Sequence, residues 1–243
     1  MPRVSIIVPA YNCVNYIQRT MNSLAIQTFQ DFEIILIEDG SWDGTKKLVE
    51  VYSKIPNIRV VWHEKNQGLA NSLNDGLVVA MGEFIAIMHS DDVSLPARIE
   101  KEVVYLDSHP NIALVGTWCQ NIDIGDKPMR DGWWLRQVKK IPDDPKIIRN
   151  KLLEMNCLIH TSVMFRKEML IKTGYYDQNF VPAEDLELWL RVAFDAELDI
   201  GIIPEVLTQY RHHPTQISRT NNGNLMKEKA RAAIERAKKR RGL

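Results

Sequence analysis

The chain has 243 residues, and its 31 Lys plus Arg balance 31 Asp plus Glu, leaving no net formal charge. A composition 45% hydrophobic and 26% charged is that of an ordinary globular protein, and the balance offers no general field for nucleic acid. No apolar run is long enough to span a bilayer, the opening MPRVSIIVPAYN is too short in apolar residues for a signal peptide, and Cys13, Cys119 and Cys157 form no CxxC pair. A cytoplasmic, reducing setting without structural zinc is therefore expected.

Short Val- and Ile-rich runs alternate with segments of helical period. VSIIV (4–8) reads as a strand buried on both faces, and NYIQRTMNSLAIQ then sets Ile17, Met21, Leu24 and Ala25 on one helical face. FEIILI (32–37) is a second strand, followed by TKKLVEVYSKI with Leu48, Tyr52 and Ile55 aligned. RVVW (59–62) is a third, followed by LANSLNDGLVVAMG with Leu69, Leu73, Leu77 and Ala80 on one side and Gly82 as a helix stop. FIAIM (84–88) is a fourth, and LPARIEKEVVYLDSH after it turns Ile99, Val103 and Leu106 inward. These four βα units predict a mostly parallel α/β sheet flanked by helices. Beyond them IALVG (112–116) and SVMF (162–165) read as strands, and DLELWLRVAFDA (185–196) as a helix with Leu186, Trp189, Leu190 and Ala193 inward. One domain over 1–218 is expected, with halves at 1–108 and 109–218, followed by a basic helix over 219–243.

Ligands of open parallel sheets bind outside the carboxyl ends of the strands. The residues there are Pro9-Ala10-Tyr11-Asn12, Glu38-Asp39-Gly40-Ser41, His63-Glu64-Lys65-Asn66 and His89-Ser90-Asp91-Asp92. A rim of carboxylates calls for a hard divalent cation, magnesium or manganese, which in turn binds phosphate oxygens. GxxxxGK[ST] and GxGxxG are both absent, so a diphosphate would be held mainly through the metal. The plainer reading of Asp91-Asp92 is a cap on the next helix.

VSIIVPAYN, QTFQDFEIILIEDGSWDGT, NQGLANSLNDGL and GEFIAIMHSDD, with HTSVMFRKEML, AEDLELWLR and IPEVLTQYRHHPTQIS later on, together resemble the inverting glycosyltransferase family 2 over about residues 2–218. The resemblance implies a GT-A fold and metal-dependent transfer of one sugar from a UDP- or GDP-linked donor to a sugar or lipid-linked sugar acceptor, in polysaccharide or glycolipid assembly. It implies donor contacts at Pro9, Ala10, Tyr11, Glu38, Asp39, Asn66, Gly68 and Asp91, with the Tyr11 ring stacked on the base. It implies metal ligation by Asp92 with Asp91 and His213, and a general base at Asp185 beside Glu184. An N-cap is the structural alternative for Asp185.

The sequence departs from the family at Glu38, which stands where another aspartate is usual, and at two further places. His89 stands where an aspartate is common, and Leu73 where an arginine is. The QxxRW motif of processive relatives is absent, which points to single transfer. A nucleotide-sugar binding protein without transfer activity is the alternative that His89 and Leu73 support. His160 reads either as a structural histidine or as a site residue. Trp133 and Trp134 could face an acceptor sugar or pack on the sheet, and residues 121–143 suit a flap. Between Lys227 and Arg241 the tail carries eight basic and two acidic residues, with a thin stripe of Ala230, Ala233, Ile234 and Ala237. Such a helix could rest on the inner face of an anionic membrane or pack against protein.

Overall fold

The computed structural model describes residues 1–217, 223–240 and 242. Its strands are β1 (Val4–Ala10), β2 (Phe32–Asp39), β3 (Ile58–His63), β4 (Phe84–Ile87), β5 (Val93–Ser94), β6 (Ile112–Ile122), β7 (Val163–Arg166) and β8 (Asp199–Arg211). The helices are α1 (Ile17–Ala25), α2 (Thr45–Tyr52), α3 (Leu69–Val79), α4 (Arg98–Ser108), α5 (Trp133–Val138), α6 (Pro145–Leu152), α7 (Met169–Thr173), α8 (Glu184–Leu190) and α9 (Gly223–Arg240). All the strands join one sheet in the order β3-β2-β1-β4-β7-β6-β8-β5.

The first four strands pair in parallel, as the βα pattern requires. Every residue of β1 and β2 is buried, because both faces are covered. Ile7, Ile35, Ile37, Ile85 and Ile87 point to the side where α3 lays Leu73 and Leu77. Their neighbours Ile6, Val8, Ile34, Leu36 and Ala86 point to the other side, against Ile17, Met21 and Leu24 of α1 and Ile99, Val103 and Leu106 of α4. The two-residue alternation of a strand thus feeds two cores from one continuous apolar run.

Some inward assignments change. Ala25 is exposed, and Ile55 lies beyond the end of α2, 42% exposed, while Val49 takes the buried place. Gly82 is not the stop of α3, which ends at Val79 with Ala80 extended. Gly82 is instead required by close approach, since a Cβ there would lie 2.5 Å from the Ser5 amide nitrogen. The helix begun at Glu184 continues past Leu190 as a π-helical turn over Arg191–Asp195.

The second half mixes directions. β7 runs antiparallel to β4 and β6, and β8 runs parallel to β6. The apolar run ends at Gly116, but pairing with β8 extends β6 to Ile122. Pro204 and Glu205 sit in an irregularity between Ile203 and Val206, where the ladder does not need the missing proline N–H.

The apolar stripe of α9 faces protein rather than lipid. Ala233 and Ala237 are buried, and Ala230 and Ile234 pack against the same core. Arg236 lies 3.4 Å from Asp177 and 3.3 Å from Glu187, and Arg240 pairs with Asp195. The expected boundary at 218/219 and Arg241 lie outside the described residues. Among the described residues, no helix is long and apolar enough to cross a membrane.

Gly40, at the turn after β2, has φ +70°, and a Cβ there would lie 2.5 Å from the Lys65 carbonyl carbon. Gly40→Ala is expected to lose at least about 1–2 kcal/mol from the left-handed backbone alone, with the clash adding to it. Urea unfolding would check this, and an unchanged midpoint would contradict it.

Candidate active site

The carboxyl edge of the sheet is assembled by hydrogen bonds between its loops. Pro9 and Ala10 are buried at the end of β1, and Tyr11 is 44% exposed beyond them. The Asn12 amide donates to Ser41 Oγ at 3.1 Å, and its side-chain Oδ1 accepts from the Trp42 amide at 3.1 Å. Glu38 is fully buried and accepts from the amides of Gly40 (3.2 Å) and Ser41 (2.7 Å). Asp39 accepts from the amides of Gln67 (2.8 Å) and Gly68 (3.0 Å), and its Oδ1 lies 2.7 Å from His63 Nδ1. Gly68 permits that approach through φ +89°. Asn66 is exposed in the same loop. Both acids of β2 therefore fasten loops, and Asp39 retains room for one further donor out of about four acceptor sites. Leu73 lies wholly in the core, away from this edge.

Beyond β4 the two adjacent aspartates divide their tasks. Asp92 is fully buried, and its Oδ1 accepts from the backbone amide of Arg211 at 2.8 Å. Its Oδ2 is buried with no hydrogen-bond partner. Burial, and then the neighbouring Asp91 charge, raise the Asp92 pKa well above the carboxylate range, and the Arg211 amide, the nearby Thr161 hydroxyl and the Arg211 charge offset only part of this. Burial also pushes Asp91 upward, but the hydrogen bond with His213 and the nearby imidazoles outweigh it, and the net shift is downward. His213 Nε2 lies 2.8 Å from Asp91 Oδ2, its Nδ1 lies 3.0 Å from Thr215 Oγ1, and its ring packs tilted against Tyr16 with the centroids 4.5 Å apart. As folded, His213 thus holds Asp91. His89, Asp91 and Asp92 can each aim one donor atom within 4.8 Å of the others. Two carboxylates, one of them with an orphaned buried oxygen, and an imidazole fit a divalent cation.

Arg211 was missed from the sequence. Its side chain is fully buried, with Nε on the Asp91 carbonyl (2.6 Å), and Nη1 on the Asp123 carbonyl (3.0 Å) and on Asp126 (2.6 Å). Arg19 also pairs with Asp126 at 3.1 Å. These contacts fasten residues 123–126, the first part of the expected flap. The stretch YRHH carried the available signal, which the adjacent histidines drew away.

The candidate base stands at the first turn of α8. Asp185 Oδ2 accepts from the Asn156 side-chain amide, and Oδ1 from the Leu186 amide, both at 2.7 Å. Asp185 does not cap the helix in the usual sense, because the N-cap position is Ala183. Burial raises the Asp185 pKa. Glu184 is more deeply buried and is pushed to about 8 by burial and then by Asp185. The Asn156 carbonyl accepts from Trp134 Nε1 at 2.8 Å, which ties α5 to the residue that holds Asp185, while Trp133 is 66% exposed. His160 joins the two regions: its ring packs edge-on to Trp189 of α8 at 5.9 Å, and its Nδ1 lies 3.2 Å from His89 Nε2. His160 Nε2 also lies 2.9 Å from the Tyr176 hydroxyl, and Asn156 and Tyr176 are not legible as site residues in the sequence, because neither lies in a motif with a chemical spacing.

A parallel half with an acid pair at its carboxyl edge and an acidic first turn on α8 is the arrangement of a GT-A transferase. The chain belongs to glycosyltransferase family 2, whose family model, described as "Glycosyl transferase family 2", matches residues 5–174. It is 31% identical over 231 residues to an uncharacterized glycosyltransferase of Haemophilus influenzae, covering 91% of this chain and 69% of that one. It is 30% identical over 212 residues to the amylovoran biosynthesis glycosyltransferase AmsE of Erwinia amylovora, covering 87% and 76%. Among solved structures, S. aureus TarS 1-349 in complex with UDP-GlcNAc matches with TM-score 0.68 at 21% identity, covering 88% of this chain and 60% of that one. The mannosyltransferase PcManGT of Pyrobaculum calidifontis, in complex with GDP-Man and Mn2+, matches with TM-score 0.66 at 22% identity, covering 86% and 56%. The chain thus spans less than two thirds of those solved chains.

Glu184 has a folded pKa of about 8, above its usual 4.5. A group raised in this way contributes stability that is fully present below about 4.5 and lost as pH rises through about 8. Glu184→Gln should therefore flatten the fall in stability between pH 5 and pH 9, by an amount on the order of a few kcal/mol. Urea unfolding at fixed pH values measures it. A slope equal to that of the wild type would show that Glu184 is not responsible.

Proposed function

We propose that the chain transfers one sugar from a nucleoside-diphosphate sugar to an acceptor hydroxyl, with a divalent cation and with inversion at the anomeric carbon. The observation that carries this reading is the unpartnered buried oxygen of Asp92, set across the His89–His160–Trp189 contacts from Asp185. In this reading Pro9, Ala10 and Tyr11 form the wall for the base, and Asp39 accepts from the base edge at its remaining site. Glu38, Asn66 and Gly68 shape the rim, and Asp91 holds the ribose or the metal. Asp92 holds the metal, and His213 steadies Asp91. A bound cation would act as a Lewis acid on the departing diphosphate.

Asp185 takes the proton from the acceptor hydroxyl as that oxygen attacks. Its upward pKa shift brings a carboxylate closer to the basicity a general base needs. Glu184, at about 8, is mostly protonated at neutral pH and does not serve as a nucleophile. A single base favours one in-line displacement, and hence inversion. Trp133 and Trp134 flank the acceptor side, where an aromatic face suits a sugar. UDP-GlcNAc in TarS and GDP-Man with Mn2+ in PcManGT support a UDP- or GDP-linked donor. The amylovoran enzyme supports a role in polysaccharide assembly, with a sugar or lipid-linked sugar as acceptor. The exposed Lys227, Arg231, Lys238 and Lys239 of α9 leave a charged route to the inner face of a membrane, although the apolar stripe is occupied.

Isothermal titration with UDP, GDP and their sugars, with and without Mn2+, tests the site. Metal-dependent binding of one nucleotide is expected, and no binding of any would remove the reading. Asp185→Asn should then lower transfer by about 10²–10⁴-fold while nucleotide affinity stays within a few-fold. Equal, measurable turnover in the two proteins would exclude Asp185 as the base, and nucleotide binding without turnover in the wild type would favour the binding-protein alternative.

A further inference from the structure

His89 departs from the family pattern, and His160 and Tyr176 have no place in the transfer chemistry, yet the three form one chain. His89 Nδ1 lies 4.0 Å from the unpartnered Asp92 Oδ2. On the other side of the ring, His89 Nε2 lies 3.2 Å from His160 Nδ1, and His160 Nε2 lies 2.9 Å from the Tyr176 hydroxyl. Both His160 and Tyr176 are buried. The Thr161 hydroxyl accepts from the His89 amide at 3.0 Å, which fixes the backbone from which the ring projects. The strand of loop bearing Tyr176 is itself anchored: its amide and carbonyl each pair with the Asn74 side chain of α3 at 2.9 Å.

We propose that His89 supplies a nitrogen ligand to the divalent cation, and that His160 and Tyr176 are positioning residues that hold it in the tautomer able to do so. This rests on the metal-dependent reading of the same site. A neutral imidazole has one N–H and one lone pair. For Nδ1 to offer its lone pair at Asp92, Nε2 must carry the proton and donate to His160 Nδ1. His160 must then carry its own proton on Nε2 and donate to the Tyr176 oxygen. The Tyr176 O–H is left to point elsewhere. The opposite sense, Tyr176 donating to His160, His160 to His89, and His89 Nδ1–H turned toward Asp92, uses the same number of protons. It suits the cation-free site, where the orphaned Asp92 oxygen lacks a donor. Loading the cation reverses the chain: the His89 Nδ1 proton leaves to solvent, one proton shifts from Tyr176 to His160 and one from His160 to His89, and Tyr176 takes one proton back from solvent, so each group ends with the single proton it began with.

The separation of His89 and Asp92 is close to the span of two metal–ligand bonds of roughly 2.1 Å each. His213 is a poorer nitrogen source, because both its ring nitrogens are already engaged, by Asp91 and by Thr215. An imidazole in place of a carboxylate also lowers the negative charge of the rim and shifts preference from Mg2+ toward later transition metals.

Electron spin-echo spectroscopy of Mn2+ bound to the full chain, with and without UDP or GDP, reads the ligand directly. Wild type should show modulation from a directly bound 14N that converts to the 15N pattern when histidine is 15N-labelled. His89→Asp should bind Mn2+ but lose that modulation, and its preference for Co2+ over Mg2+ should fall. Modulation unchanged in His89→Asp, or absent from Mn2+-loaded wild type, would overturn the inference while leaving metal dependence standing. No bound Mn2+ under any of these conditions would overturn both. Tyr176→Phe, which removes the partner of His160 Nε2 in both senses of the chain and with it the restraint on the His89 ring, should weaken Mn2+ binding by about 10–100-fold. Wild-type affinity and modulation in that variant would refute the positioning role.

Discussion

A fully buried carboxylate with one unpartnered oxygen is the constraint around which this edge of the sheet is arranged. Taking a carboxylate out of water costs several kcal/mol even after relaxation. The Arg211 amide on Asp92 Oδ1 returns roughly 1.5–3 kcal/mol, as a hydrogen bond to a charged group does. The shortfall appears as the raised Asp92 pKa. A cation at the free oxygen would offset it. The surrounding structure is consistent with holding such a site open: Thr20 caps the Asp92 carbonyl at 2.7 Å, and the Arg211 side chain occupies the Asp91 carbonyl, so neither main-chain oxygen competes for a donor.

The opposite policy holds at β2. Glu38 and Asp39 are as deeply buried, but their oxygens are met by loop amides, so their charge is used to fasten the turns after β2 and β3. Tyr11 and Asn66 are thereby left exposed on a rim that its own loops hold in place. On the facing side, Asn156 performs a similar service for Asp185, and passes the restraint on to Trp134 through its carbonyl. The carboxyl edge at His89 and the α8 helix that carries Asp185 are joined by aromatic and imidazole contacts through His160, and a residue readable as mere packing becomes the link between them.

Legibility in the sequence followed the range of the interactions. The four βα units could be read because a strand covered on both faces leaves an unbroken apolar run, and because each covering helix repeats its apolar face every turn. The edge residues Tyr11, Asp39, Asp91 and Asp92 followed from strand ends alone. β8 could not be read in this way: DIGIIPEVLTQYR carries a proline and no clean alternation, and it becomes a strand only by pairing with β6. Arg211 and Asn156 share that fate, since each matters only for a partner far along the chain. For α9 the stripe was legible, but whether it met lipid or protein was not.

The sequence by itself determined the parallel half, the family and the set of acids delivered to the strand ends, because local periodicity and motif order carry that information. Tertiary structure alone decided which of those acids are spent on loops and which keep a free oxygen. It also decided that His213 braces Asp91 and that His89, His160 and Tyr176 line up. The reason is physical: whether a buried polar atom is satisfied depends on groups brought together across as many as 122 residues, as between Asp91 and His213, and no local pattern records them.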